Sequence, residues 1–229
     1  MAIIPNSGTG TGSITPDGSP VSFYLLMGAN GEPEIISAVV PSGGSVLDLG
    51  AGVGRIAHPL IELGYEVVAV DESAEMLEHV RGARTVRSRI QDLDLGRRFD
   101  GVLLASQLVH TADDQDRRGL LETCARHVAP GGSVLIQWTP PERHGKAAVG
   151  QGRTTDGGLR LELAAQEEVA PGVVNATMRY SHEGRVWTQS FTSRMLTDER
   201  LAEALAEAGL RLDRFLTEDR AWLKAVPDA

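Results

Sequence analysis

The residues best able to do chemistry begin at 46–55, VLDLGAGVGR. A short apolar run opens there into Gly50, Gly52 and Gly54 and then into a helical pattern. Glycines at such a junction let the backbone turn tightly and admit a ligand where Cβ atoms would block it. Asp71 ends the next β-branched run, YEVVAVD. An acid at the tip of a second parallel strand can accept both hydroxyls of a ribose. The plainer reading is a carboxylate at the start of the following helix. Asp48 lies inside the first strand. A carboxylate there is costly unless it meets hydrogen-bond donors or a cation, so it serves either the loop N–H groups or a ligand.

The elements that must carry these groups alternate. Strands are predicted at 45–49, 65–70, 85–90, 99–105 and 133–138, with helices at 34–40, 55–63, 73–80 and 117–128 between and before them. Ser73 reads as an N-cap and Gly64 as a helix stop. Such alternation implies βαβ units and a parallel sheet with helices on both faces. Period-two runs at 173–180 and 185–194 flank His182-Glu183-Gly184 and predict an antiparallel hairpin. Thr197 caps a further helix, and 210–216 and 221–226 are strand-like, forming the antiparallel edge of a mixed sheet. Residues 6–20 read as a loose leader and 139–172 as an irregular insertion. One domain over 1–229 is expected: leader and N-terminal cap to 44, ligand-binding core at 45–138, insertion and hairpin at 139–195, and C-terminal helix with edge strands at 196–229.

Composition narrows the partners. The 229 residues carry a formal net charge of −9, which argues against non-specific nucleic-acid or anionic-membrane binding. No stretch approaches the roughly 20 apolar residues of a membrane span, and 1–20 lacks a secretory signal, so a cytoplasmic location is expected. A single cysteine, Cys124, permits no intramolecular disulfide and reads as core. Arg55 is the first Lys or Arg in the chain, while Glu32 and Glu34 precede it. An acidic-to-neutral opening suits a cationic ligand.

Dinucleotide binding is one rival. The frame G-x-G-x-x-G begun at Gly50 fails at Arg55, and the looser frame begun at Gly52 leaves Asp48 with no ligand to meet. The motifs VLDLGAGVGR, VVAVDESAEML, IQDL, FDGVLLAS and HVAPGGSVLIQ, in that order, resemble those of class I S-adenosylmethionine-dependent methyltransferases, in the branch acting on small molecules. The resemblance implies an α/β fold, a Rossmann-like seven-stranded sheet that is mostly parallel with an antiparallel C-terminal edge. It implies that Gly50, Ala51 and Gly52 pass beneath the methionine moiety, beside Asp48. Asp71 would hold the ribose hydroxyls, with Glu72 and Met76 lining that side. Gln91 and Asp92 would flank the adenine, and the Ser106 backbone would approach the amino-acid portion. No Asn/Asp-Pro-Pro-Tyr and no Pro-Cys follow the fourth strand, where Ser106-Gln107-Leu108-Val109 stands, and no metal site is expected.

The reaction so implied is methyl transfer from S-adenosylmethionine to O, N or C of a small-molecule acceptor, by a monomer or homodimer. A dedicated base matters only if the acceptor must lose a proton. His110, just beyond the fourth strand, is the first candidate for it, against a plain loop histidine. Tyr24, in the apolar segment ahead of the sheet, is the second, against a core aromatic. Trp138, Trp187 and Phe191 are candidate pocket walls, while His144 and His182 read as surface residues. A cofactor-binding protein without transferase activity and a nicotinamide-dependent oxidoreductase are the alternative readings.

Overall fold

The computed structural model describes residues 2–228. Its elements in chain order are β1 (Ser7–Thr9), α1 (Val21–Tyr24), α2 (Glu32–Ser37), β2 (Ser45–Leu49), α3 (Ala57–Glu62), β3 (Glu66–Asp71), α4 (Ala74–Leu77), β4 (Arg84–Arg87), β5 (Phe99–Leu104), α5 (Asp114–His127), β6 (Val128–Gln137), β7 (Gly152–Thr154), β8 (Arg160–Ala170), β9 (Val173–His182), β10 (Arg185–Arg194), α6 (Asp198–Glu207), β11 (Leu210–Phe215) and β12 (Trp222–Pro227). Where the sequence predicts one domain, contacts divide the chain into two compact units. One joins Ala29–Pro140 to the segment from Leu196 onward, and the other joins the segment up to Gly28 to Pro141–Met195.

The larger unit is the predicted α/β sheet. Its order is β11-β12-β6-β5-β2-β3-β4, seven strands, with β12 antiparallel to β6 and to β11 and the rest of the ladder parallel. Alternation along the buried strands sends neighbours to opposite faces. Leu47, Leu49, Val102 and Leu104 pack with Leu120, Leu121 and Cys124 of α5 and with Leu201 and Leu205 of α6. Val46, Val67 and Leu103 pack on the other face with Ile36 of α2 and with Ala57 and Leu60 of α3. Cys124 is buried among apolar atoms, which pushes its thiol up to about 12 and leaves it unreactive.

Local signals place the helix starts. Ser73 Oγ accepts from Met76 N at 3.2 Å, Asp113 Oδ1 from Asp116 N at 2.9 Å, and Thr197 Oγ1 from Arg200 N at 3.2 Å. The helices after the first two strands are shorter than their apolar spacing predicts. α3 begins at Ala57 because 52–56 are still turning, and α4 ends at Leu77.

The smaller unit departs from expectation. It is a five-stranded antiparallel sheet in the order β1-β10-β9-β8-β7. The predicted hairpin is there as β9 and β10, joined through Glu183-Gly184. Part of the supposed leader is β1, which pairs with β10, and part of the supposed irregular insertion is β8, which pairs with β9 over almost its whole length. Phe23 stacks on Tyr180 at 3.7 Å between centroids and packs with Trp187 and Leu159.

Among the described residues no helix is long and apolar enough to cross a membrane.

Candidate functional site

The glycine loop leaves β2 and is tied at once to β3. Gly50 N and Ala51 N both donate to the Val70 carbonyl, at 2.8 and 2.9 Å. Gly50 has φ +74° and Gly52 φ +55°, a left-handed conformation costly for other residues. A Cβ at Gly50 would stand 2.9 Å from Leu108 Cδ1, whereas one at Gly52 would meet nothing nearer than Met76 Sδ at 3.9 Å. The backbone at Gly52 is therefore open to a close-approaching ligand.

Asp71 faces this loop at the end of β3. Its Oδ2 accepts from Gly52 N at 2.8 Å and its Oδ1 from Ser73 N at 2.9 Å. The helix-start reading of Asp71 is thus realised, in a carboxylate that also braces the glycine loop. Each oxygen keeps lone-pair capacity for a ligand hydroxyl. Glu72 beside it is exposed, and Met76 is buried on the α4 side.

Asp48 lies under the same loop, 2% exposed, and its Oδ2 has no hydrogen-bond partner. Loop N–H groups therefore do not satisfy that oxygen. Burial pushes the Asp48 carboxyl up to about 7; Arg55 pulls it down, while Asp71 and Glu32 push it further up. Between about pH 4, where an unfolded Asp titrates, and about 7, the folded state holds the extra proton, so stability is greatest at the acid end and falls as pH rises. Asp48→Asn should flatten that fall by a few kcal/mol and be the more stable form above neutrality. Chemical denaturation across this pH range checks it, and parallel profiles for the two proteins would refute it.

The remaining residues expected at the site are less uniform. Asp92 is exposed in a single 3-10 turn at Ile90–Asp92, available to a ligand. Gln91 turns instead toward α5, where its Nε2 donates to Asp116 Oδ1 at 3.3 Å and its stem packs over Gly119. Ser106 and Gln107, at the tip of β5, have φ +53° and +60°. Two consecutive non-glycine residues in this region cost on the order of 1–3 kcal/mol each and persist only where neighbours hold them. Here Ser106 N donates to Gln137 Oε1 at 2.8 Å, and Thr139 Oγ1 donates to Gln107 Oε1 at 2.9 Å.

His110 is buried and its Nε2 accepts from Thr139 N at 2.8 Å, so this nitrogen is committed to the backbone. Its ring lies parallel to Trp138, 6.4 Å between centroids. Arg117, buried in α5, donates through Nε to the Val109 carbonyl at 2.8 Å and through Nη2 to that of Thr111, holding the loop on both sides of His110. The geometry fits His110 as a positioning residue that ties the β5 and β6 loops together. His110→Ala should leave Thr139 N–H unsatisfied and cost about 1–3 kcal/mol, while His110→Gln, which keeps an acceptor, should recover most of it. Equilibrium unfolding measures both. Equal losses in the two variants would remove the positioning role.

Tyr24 belongs to the smaller unit. Its hydroxyl donates to Gln189 Oε1 at 3.1 Å, which also accepts from Tyr180 at 3.2 Å. Trp187 and Trp138 are core residues in their own units, with indole N–H groups donating to the Thr11 and Arg220 carbonyls, not pocket walls. His144 is buried beside Ser193 Oγ at 2.8 Å, not on the surface. Sequence reasoning passed over Arg117, Gln137 and Thr139, whose roles arise from contacts distant in sequence.

Among the described residues no cluster of three His, Cys, Asp or Glu stands close enough to hold a metal ion. An open glycine backbone, a braced acid at the second strand tip and a buried acid with a free oxygen fit a ligand bearing a ribose and a cationic group.

A methyltransferase-domain profile matches residues 46–132. The cypemycin N-terminal methyltransferase of a Streptomyces species is 33% identical over 134 residues, 56% of this chain and 55% of that protein. The chain thus spans about half the length of that curated relative. The dTDP-3-amino-3,6-dideoxy-alpha-D-glucopyranose N,N-dimethyltransferase of Streptomyces fradiae is 27% identical over 184 residues, 76% of this chain and 72% of that protein. The structure of the CcbJ methyltransferase from Streptomyces caelestis superposes with a TM-score of 0.70 at 21% identity, covering 93% of this chain and 92% of that one. The strand order, the glycine loop and these matches agree: residues 46–132 match a methyltransferase domain, and the chain has the Rossmann-like fold of the methyltransferase structure it superposes on.

Proposed function

We propose that the chain binds S-adenosylmethionine at the glycine loop and directs its methyl group to a nucleophilic atom of a small-molecule acceptor. The observation that carries this reading is the Asp71 carboxylate, fixed by Gly52 N–H and Ser73 N–H where a ribose would lie. When bound, the cofactor supplies an electrophilic methyl on a sulfonium; the acceptor–carbon bond forms as the carbon–sulfur bond breaks, and S-adenosylhomocysteine leaves. The chain's own work is alignment and exclusion of water, which can lower a barrier by roughly 7–11 kcal/mol. Asp71 orients the ribose, Gly50–Gly52 admits the methionine portion, and Asp92 offers an acceptor to the adenine amine.

An amine acceptor is favoured within this reading, since the amino-sugar relative is by name an N,N-dimethyltransferase and the cypemycin relative an N-terminal methyltransferase. An unprotonated amine needs no base for attack, which suits a His110 whose Nε2 is already occupied. The test is incubation with methyl-labelled cofactor and a panel of amino sugars and peptide N-termini. A labelled product with the mass of one or two added methyls is expected. Cofactor binding with no product from any amine, alcohol or acidic carbon would favour a binding protein without transferase activity.

A further inference from the structure

Among the described residues of the larger unit, only Ser106, Gln107 and Arg220 combine a side chain with a positive φ. Three consecutive residues at the end of β6 reach all of them. Gln137 Oε1 accepts from Ser106 N at 2.8 Å, the Trp138 indole N–H donates to the Arg220 carbonyl, and Thr139 Oγ1 donates to Gln107 Oε1 at 2.9 Å. Strained backbone clusters at functional sites and persists only where neighbours over-determine it. The proposed reaction gives these restraints no task.

The strain has a geometric result at the tip of β5. Ala105 is buried, while Ser106 and Gln107 are exposed. Their left-handed pair turns the chain into the 3-10 turn Leu108–His110, where Val109 and His110 are buried again. Leu108 is thereby laid against the glycine loop: its Cδ1 is the atom that a Cβ at Gly50 would meet at 2.9 Å. β2 and β5 are neighbours where the strand order reverses, the place at which open α/β sheets take their ligands. Ser106 is restrained through its backbone N–H, whereas Gln107 is held through its side chain. The backbone turn therefore depends most directly on Gln137. A glycine would adopt φ +53° unaided; a serine needs the brace. We propose that Gln137 is a positioning residue: from β6 it holds the tip of β5 in its left-handed turn and so sets Leu108 against the glycine loop in the geometry the cofactor needs. This rests on the cofactor reading above, and adds that the affinity of the loop depends on a residue two strands away in the sheet.

The test joins calorimetry with S-adenosylhomocysteine to thermal unfolding without ligand. Gln137→Ala removes the acceptor, lets Ser106 relax out of the left-handed region and should weaken S-adenosylhomocysteine by ~10-fold. Gln137→Glu keeps an acceptor oxygen for Ser106 N–H and should stay within about threefold of wild type. The double variant Gln137→Ala with Ser106→Gly holds the turn without the brace and should also return to within about threefold. A merely structural glutamine would not be rescued by a second change that adds backbone freedom. Without ligand, Ser106→Gly should raise the melting midpoint by about 2–4 °C in the wild-type background, and by less where Gln137→Ala has already released the strain. Equal losses of affinity in Gln137→Ala and Gln137→Glu, an affinity unchanged in Gln137→Ala, a double variant no better than the single, or a midpoint lowered by Ser106→Gly overturns the proposal. Should Gln137→Ala fail to fold, a double variant that folds and binds supports the proposal, and one that does not overturns it. Wild-type protein that binds no S-adenosylhomocysteine overturns the cofactor reading, whereas the melting comparison decides the brace with no ligand present.

Discussion

Asp71→Ala should reduce affinity for S-adenosylhomocysteine by ~10²-fold or more, with the fold retained. The carboxylate is expected to make two hydrogen bonds to ribose hydroxyls, each worth about 1.5–3 kcal/mol to a charged acceptor. It also braces the loop through Gly52 N–H at 2.8 Å. Asp71→Asn is the sharper comparison. It keeps one acceptor oxygen for Gly52 or Ser73 but presents an amide donor where the other oxygen stood, so one of the two N–H groups now meets a donor. Its affinity should fall between wild type and the alanine variant. Affinity within threefold of wild type for Asp71→Ala would remove the ribose assignment.

Gly52→Val should be comparably severe for a different reason. The residue sits at φ +55°, where a β-branched side chain is strongly disfavoured, at a cost of roughly 1–3 kcal/mol. The protein itself has room for the new Cβ, whose nearest neighbour is Met76 Sδ at 3.9 Å. The side chain would therefore project into space the ligand needs. The midpoint of thermal unfolding should drop by about 3 °C per kcal/mol, while cofactor binding should become undetectable. A variant that melts lower yet binds normally would place the ligand elsewhere.

These two residues were legible because their signals are local. A glycine loop between strand and helix, an acid at the next strand tip and the caps Ser73 and Thr197 each depend on a few neighbouring residues. The parallel part of the larger sheet follows from the same alternation. The smaller unit was hidden because its partners are far apart in the chain. β1 has no apolar period, and its edge is held by long-range pairing, including the Thr9–Thr188 hydroxyl contact at 2.6 Å. β8 does contain Leu161 and Leu163, but bulges at Leu163/Ala165 and Glu168/Ala170 break the period of two that would have revealed it. Arg117 was passed over, and Glu32 was read only as part of an acidic opening, for the converse reason. Charged residues in helices usually face water, and only the packed chain shows these two buried against carbonyls and a guanidinium. His110 was visible as a histidine in the right place, but its occupied Nε2 could not be read without Thr139 beside it.

The central claim is that this glycine loop holds S-adenosylmethionine. Equilibrium dialysis of the whole chain against methyl-labelled S-adenosylmethionine tests it most directly. The account predicts saturable retention of one equivalent per chain, displaced by S-adenosylhomocysteine and lost in Asp71→Ala. No retained label, or retention unchanged in Asp71→Ala, would contradict it.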